Sequence, residues 1–551
     1  MREWWKEAIG YQIYPSSFYD ANKDGFGDLR GIIEKLDYLK DLGITLLWVS
    51  PFYLSSFEDG GYDIIDHTKV DPRFGSMEDF DELLDKAHKK GMRVIIDLIM
   101  NHTSSSHSWF KKALNNDEKK KNYYIIKDGK ENLPPNNWGS FFYESAWSKF
   151  DDTSYYLHLF SKNMPDLNWE NKEVREEMYK IARFWLDKGV DGFRLDAIAH
   201  LAKEPFFLDG NKVNQSGYSE DYSKFSNQPH LFSYLNEFKK KVLDHYDCVS
   251  VGEVGGNISA KEALRYVNYH NGSINMMFNF ESNAVHNGYG EDYEEVLTDV
   301  VRLKHVFETW IHTYGDMAWF PLYLTNHDQS RVLSQYGSIK YRNESAKMLC
   351  AVLLFMGGTP FIYNGDEIGM SNVHFKDISM IQDIKDINYI KQNQANKSEE
   401  ELLAILNETS RMHSRSAMQW NNQHHAGFSD VESDILLNDN YKEVNVEEQM
   451  RDDHSILNFY KKAIHVRQNQ YLDVVLDGYL SFIDKRHEDV FAYQKIGKKK
   501  LVVIANFKDK EVVFSHHQQC KKIILSNYEK VLIQKDKIFL RPFELAVFEG
   551  E

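Results

Sequence analysis

The sequence predicts an α/β fold built on a parallel sheet, followed by an antiparallel β domain. Three observations carry this reading. An amphipathic helix, a glycine stop and a short apolar strand recur as a unit. The strands of that unit are continuously apolar, as strands buried on both faces are. From about residue 471 the pattern changes to short alternating or β-branched runs. Two architectures satisfy the first part, an open doubly wound sheet and a closed (β/α)8 barrel. No G-x-G-x-x-G or G-x-x-x-x-G-K-[ST] loop opens a helix after a strand. Eight candidate strands, each ending in polar residues, favour the barrel, which carries its chemistry at that end.

The elements follow in order. Leu29, Ile32, Ile33, Leu36, Leu39 and Leu42 recur at helical spacing, Gly43 stops the helix, and Ile44–Val49 reads as a buried strand. The next copy starts at Ser76 with Asp79 three residues on, the spacing of a capping box. It stops at Gly91 and is followed by Met92–Leu98. In the third, Val174, Met178, Ile181 and Trp185 share a face, Gly189 is the stop, and Val190–Leu195 is the strand. Barrel strands are expected near 9–14, 44–50, 92–98, 191–196, 248–253, 274–280, 320–326 and 359–363. Residues 101–170, between strands three and four, are too many for a loop and read as an inserted subdomain. The barrel then takes 1–100 and 171–470, with a second polar insertion at about 370–450. Residues 471–551 form the β domain, with runs such as Leu501–Ile504 and Leu545–Phe548.

Composition narrows the function. The 551 residues carry a net charge of −17, which disfavours a polyanion partner, since nucleic-acid binding rests on basic patches. A hydrophobic fraction of 42% supplies large cores, and 14% aromatics argue against disorder. Three cysteines, Cys248, Cys350 and Cys520, make no disulfide framework and suit a reducing compartment. No apolar signal region opens the chain and no run of about 18 apolar residues occurs. The expectation is a soluble cytoplasmic protein that engages neither membrane nor nucleic acid, a monomer or weak homo-oligomer.

Candidate site residues follow strands. Asp196 ends strand four, Glu253 ends strand five, and Asp328 follows strand seven in Thr325-Asn326-His327-Asp328. Arg194, His102 and His327 lie nearby in the same pattern. An aspartate at a strand end also caps helices, but three acids gathered at one barrel mouth repel each other without a functional return. Paired carboxylates suit glycoside hydrolysis, one as nucleophile and the other protonating the leaving oxygen. A third anion can stabilise the positive, oxocarbenium-like centre. Arg194, two residues before Asp196 and on the same strand face, is placed to keep Asp196 ionised.

On these residues, together with Trp4–Ala8, Gln12-Ile13-Tyr14-Pro15 and Arg415-Ser416-Ala417-Met418-Gln419-Trp420, the chain resembles the α-amylase superfamily, glycoside hydrolase family 13. The likeness spans essentially the whole chain and is nearest to the oligo-1,6-glucosidase/α-glucosidase group. The resemblance implies a (β/α)8 TIM barrel, a domain B after strand three and a C-terminal β-sandwich. It implies a retaining mechanism with Asp196 as nucleophile, Glu253 as acid/base and Asp328 as transition-state stabiliser. It assigns Asp63, His102, Arg194, His327 and Arg415 to the sugar in subsite −1, with Tyr62 stacked on its face. Asp63 and Arg415 would close the pocket around the 4-hydroxyl and make the enzyme exo-acting.

Asp20-Ala21-Asn22-Lys23-Asp24-Gly25-Phe26-Gly27-Asp28 alternates oxygen ligands around a glycine turn, like the start of an EF-hand loop, although no Glu stands at the twelfth position. An Asx-rich turn would look alike. The resemblance implies one structural Ca²⁺ here, on Asp20, Asn22, Asp24, Asp28 and the Phe26 carbonyl, and no organic cofactor.

Departures from the family bear on linkage. Met164-Pro165-Asp166-Leu167-Asn168 has Met where the oligo-1,6-glucosidases usually have Gln. Ser414–Trp420 replaces A-R-T-P-M-Q-W, and Ser55–Gly61 replaces S-P-N-D-D-N-G. Ala stands at 197, where Val goes with α-1,6 preference, so α-1,4 or mixed specificity is expected. His200 is a candidate for the +1 side or a helix-surface histidine. The expected function is an exo-acting α-glucosidase on malto- and isomalto-oligosaccharides. The alternatives are a strict oligo-1,6-glucosidase, a transglucosidase, a sucrose isomerase, a trehalose-6-phosphate hydrolase and, remotely, a non-catalytic scaffold.

Overall fold

A computed structural model describes residues 2–214, 216–281, 298–516 and 519–550. Eight parallel strands form one sheet: β1 (Gly10–Ile13), β2 (Leu46–Val49), β3 (Arg93–Ile99), β4 (Gly192–Asp196), β5 (Val249–Glu253), β6 (Met276–Phe278), β7 (Pro321–Leu322) and β8 (Thr359–Tyr363). Their order is β6-β5-β4-β3-β2-β1-β8-β7. Each strand therefore neighbours its successor in the chain, and Tyr11 of β1 pairs with both Leu47 of β2 and Ile362 of β8. First and last strands side by side define a barrel and exclude the doubly wound sheet. The strands β6 and β7 lie against each other across the remaining seam.

Strand side chains alternate between two cores. Leu46, Trp48, Ile95, Val249, Val251, Met276, Phe278 and Phe361 fill the barrel interior. Leu47, Val49, Val94, Ile96 and Ile362 face outward into the layer under the helices. Gly10 leaves room for the Phe361 ring, which a Cβ there would approach to 2.6 Å.

The three glycine stops all adopt the left-handed conformation, with φ of +97° at Gly43, +74° at Gly91 and +104° at Gly189. Ser76 and Asp79 form the capping box of the helix Met77–Lys89. The first helix differs from expectation. It breaks at Lys35 into Leu29–Glu34 and Leu36–Leu42, although the apolar stripe continues across the break.

After β3 the chain builds a three-stranded antiparallel sheet of Ile126–Asp128, Ser154–Leu157 and Trp147–Lys149. Trp138, Trp147, Leu157, Leu159 and Phe225 form its core. The segment after β8 carries the helices Ile384–Asn393 and Glu399–Thr409, with a small core of Phe375, Ile381, Tyr389, Leu402 and Leu406.

The C-terminal domain packs a five-stranded antiparallel sheet, from Tyr479–Phe482 to Cys520–Ser526, on a three-stranded one of Val512–Ser515, Lys537–Leu540 and Leu532–Gln534. Val490, Ala492, Val502, Ile504, Ala546 and Phe548 face the smaller sheet. Phe491, Tyr493, Leu501, Val503 and Val547 face the barrel's helical layer, where the Tyr493 hydroxyl donates to the Val352 carbonyl at 2.8 Å. The larger sheet is thus buried on both faces. The buried Lys304, on the helix Val300–Tyr314, donates to the carbonyls of Asp484, His487 and Val490 at 2.7–3.1 Å.

Candidate active site

The ends of β4 and β5 and the segment after β7 deliver Asp196, Glu253 and Asp328 to the carboxyl end of the barrel. Arg194 organises the first two. Its Nη1 contacts Asp196 Oδ1 at 2.5 Å and its Nη2 contacts Glu253 Oε2 at 2.9 Å. Nη1 also donates to Asp97 Oδ1 at 2.5 Å. One guanidinium therefore serves three carboxylates. The Asp196, Glu253 and Asp328 side chains are 9%, 17% and 31% exposed, so the trio opens to solvent at the Asp328 side.

Glu253 Oε2 also accepts the Ala197 backbone N–H at 3.1 Å. That amide is aimed by a left-handed backbone at Ala197, φ +47° and ψ +32°. A small side chain suits this conformation, which is a genuine outlier for a β-branched one.

The electrostatics depart from the expectation that Arg194 keeps Asp196 ionised. Burial pushes Asp196 up to about 7, against the attraction of Arg194 and with Asp97 and Asp328 adding repulsion. Burial likewise pushes Glu253 up to about 7, with Arg194 opposing and Asp196 and Asp328 adding. A single cation cannot neutralise three buried anions, so near neutral pH the cluster retains a proton. Asp328 behaves oppositely. Burial would raise it, but His327, Arg411, Arg415 and Arg194 hold it well below the usual carboxylate range.

Asp328 Oδ1 accepts from Arg415 at 2.8 Å and from Arg411 at 3.1 Å. His327 Nε2 lies 3.1 Å from Asp328 Oδ2, while its Nδ1 meets the Gln12 side-chain amide at 2.7 Å. Burial drives His327 down to about 3 and His102 to about 4, so both are neutral at physiological pH. Tyr62 stacks on the His327 ring with centroids 5.2 Å apart and 4° between planes. His102 is buried behind Tyr62, with Nε2 3.3 Å from the Tyr62 carbonyl.

Asp63 is not part of this cluster. Its oxygens accept from Ser55 Oγ and from the backbone N–H groups of Ser56 and Glu58, at 2.6–3.0 Å, which closes the 55–63 turn. Asp59, four residues earlier, faces the site instead. It accepts from Arg411 at 2.6 Å and lies 3.7 Å from Arg415. Arg411 also binds Asp383 at 2.7 Å. His200 is not on a surface. It is buried against the Phe141 ring, 4.9 Å away, with Nδ1 3.0 Å from Ser226 Oγ.

Sequence reasoning missed Asp59, Asp97, Asp383 and Arg411. Asp97 had a signal, a lone acid inside the apolar run Val94–Ile99, where it accepts the Trp48 indole N–H at 2.5 Å. Asp383 reads as a helix cap, which it also is.

In the 20–28 loop, Asp20 accepts from the N–H groups of Lys23, Asp24 and Gly25, and Asp28 from those of Ala21, Asn22 and Gly31. Asn22 Oδ1 accepts the Asp24 N–H at 3.0 Å, and Asp24 Oδ1 accepts that of Phe26 at 2.9 Å. Asp20 and Asp28 are both buried. Burial raises Asp28, against three backbone N–H groups and with the Asp20 charge adding to it. Two buried anions in an all-oxygen donor set are the chemistry that a hard cation complements.

Three carboxylates at the carboxyl end of a (β/α)8 barrel, two of them on one arginine, define a glycoside hydrolase. The family model of the alpha-amylase catalytic domain matches residues 12–477, and the chain belongs to that family. It is 42% identical to the oligo-1,6-glucosidase of Bacillus cereus, covering 100% of this chain and 99% of that protein. It is 39% identical to the trehalose-6-phosphate hydrolase of Bacillus subtilis (strain 168), over 99% and 98%. Among solved structures, the isomaltulose synthase from Klebsiella sp. LX3 superimposes with a TM-score of 0.96 at 34% identity, with both chains covered fully. No helix among the described residues is long and apolar enough to cross a membrane.

Proposed function

We propose that the chain is a retaining, exo-acting α-glucosidase that releases glucose from the non-reducing end of short α-glucosides. The observation that carries this is the pair Asp196 and Glu253 on one guanidinium, with Asp328 opposite on two arginines. An Asp196 carboxylate oxygen attacks the anomeric carbon as the bond to the leaving oxygen breaks, and Glu253 gives its proton to that oxygen. A glucosyl ester on Asp196 results. Glu253, now ionised, takes a proton from water, which attacks the anomeric carbon and frees Asp196. Asp328, fixed as an anion, favours the positive charge that develops in both steps.

Asp59, Arg411, Asp383 and Arg415 form a buried ion network beside Asp328 that can wall off the glucose pocket and confine cleavage to chain ends. The small Ala197 beside the nucleophile supports α-1,4 or mixed linkage specificity. Initial rates on maltose, isomaltose, sucrose, trehalose 6-phosphate and starch decide this. Disaccharide turnover well above starch cleavage is expected, and the reverse ranking overturns the reading.

The 20–28 loop would hold one Ca²⁺ through Asp20, Asn22, Asp24, Asp28 and the Phe26 carbonyl, in a stabilising role. Chelation should then lower the unfolding temperature and Ca²⁺ restore it, while Mg²⁺ restores less. The three cysteines are unpaired, which supports a reducing, cytoplasmic setting, and a monomer or weak homo-oligomer is the proposed state.

A further inference from the structure

One other cluster of side chains has the chemistry of a ligand site and no part in the reaction. Among the described residues, His424, His425 and Glu432 form a group of three ligand-bearing side chains whose donor atoms all lie within 4.8 Å of one another. His425 Nε2 is 3.0 Å from Glu432 Oε2, and His424 Nε2 is 3.6 Å from Glu432 Oε1. The two imidazoles stand at 79° with centroids 4.3 Å apart, so adjacent residues aim their rings at one carboxylate from different directions.

Consecutive residues do not ordinarily converge in this way. The backbone turns left-handed at His425 (φ +43°), Ala426 (+57°) and Gly427 (+65°), and two of these are not glycine. Both arms of the cluster are clamped from below. Ala426 is fully buried and its carbonyl accepts the N–H groups of Trp420 and Asn421, each at 2.9 Å. The Phe428 carbonyl accepts the Asp20 N–H at 3.0 Å. Ser433, next to Glu432, donates to the Gly25 carbonyl at 2.5 Å. The backbone on either side of the cluster is therefore anchored, while the space between the donors faces solvent, with Glu432 88% and His424 59% exposed.

We propose that His424, His425 and Glu432 bind a divalent transition-metal ion, with Zn²⁺ the best match. Two imidazole nitrogens and one carboxylate oxygen suit Zn²⁺, whereas Ca²⁺ and Mg²⁺ take oxygen ligands. Three protein ligands leave a fourth position for water. The ion would tie 424–425 to 432 and so brace the segment that rests on the 20–28 loop. Among the described residues, none of its three ligands forms an ion pair or hydrogen bond with the catalytic carboxylates: His424 and His425 pair with Glu432 alone.

The test uses untagged, full-length, chelator-stripped enzyme titrated with ZnCl2 against a chromophoric chelator. Wild type should bind one equivalent that the double variant His424→Ala/His425→Ala lacks, and Glu432→Gln should weaken that equivalent at least about tenfold. Excess CaCl2 should not displace it, and Asp24→Asn should retain it. Zn²⁺ should raise the unfolding temperature of wild type and not of the double variant, with glucosidase turnover equal in both. Unfolding temperatures without metal show whether the variants fold as wild type does, and the singly substituted Glu432→Gln carries the comparison where the double variant does not. Equal Zn²⁺ stoichiometry and affinity in wild type and variants, or displacement by Ca²⁺, overturns the proposal.

Discussion

Arg194 faces more negative charge than it can neutralise, and this governs what single substitutions do. Asp196→Asn removes the nucleophile, and kcat should fall on the order of 10⁴-fold or more in a steady-state assay. Glu253→Gln removes proton donation, and a loss of about 10²–10⁴-fold is expected, smaller for substrates with acidic leaving groups. Both residues titrate near 7, so kcat/KM should be bell-shaped around neutrality. It falls at high pH as the shared proton leaves and at low pH as Asp196 acquires one.

The same shifts predict a stability gain. A folded-state value near 7, against about 4 unfolded, means that the folded state binds more protons than the unfolded one between those pH values. Stability from this group is therefore lost as pH rises from about 4 to about 7. Asp196→Asn should unfold at a higher temperature than wild type at pH 8, with a smaller gain at pH 5; a gain independent of pH would contradict the charge argument. Arg411→Ala leaves Asp59, Asp383 and Asp328 with less compensation and should destabilise by about 3–5 kcal/mol in urea titrations.

At the scale of elements, the helix–glycine–strand unit was legible because backbone conformation demands it. Gly43, Gly91 and Gly189 all adopt positive φ, and Ser76 caps with Asp79 as its spacing implied. Gly189 isolates that effect, since a Cβ there meets nothing within 4 Å. Gly189→Ala should cost only the left-handed penalty, about 1–2 kcal/mol in chemical denaturation. Gly192 differs, because a Cβ would sit 1.9 Å from the Val249 carbonyl oxygen on the neighbouring strand. Gly192→Ala should prevent normal assembly of β4 against β5, seen as loss of soluble expression.

The loop before Tyr62 shows what spacing could not decide. Asp59 and Asp63 lie in one short turn, and the one that enters the site is fixed by which carboxylate the turn itself consumes. Ser55, Ser56 and Glu58 take Asp63, and Asp59 is left to meet Arg411, 352 residues away in the chain. A partner so distant leaves no local pattern.

At the scale of the whole molecule, the barrel was legible from strand count and strand ends, and the C-terminal β domain from its change of period. The ion network beside Asp328 was not, because it joins the turn after β2 to the segment after β8 and exists only once the ring brings them together. Lys304 has a similar history. A lysine in a helix reads as a solvated surface residue, yet here its ammonium is buried and satisfied by three carbonyls of the C-terminal domain. Lys304→Met should weaken the attachment of that domain and speed proteolysis near residues 484–490, measured by limited digestion.

The five-stranded C-terminal sheet has no outer side to spare. One surface completes the sandwich and the other roofs the helices of the catalytic ring. A chain cut short before Tyr479 would strip that roof, and the truncated enzyme should precipitate rather than persist as a smaller working unit. The C-terminal domain is a party wall, and substitutions on the exposed face of its outer sheet should be tolerated far better than any that disturb the shared one.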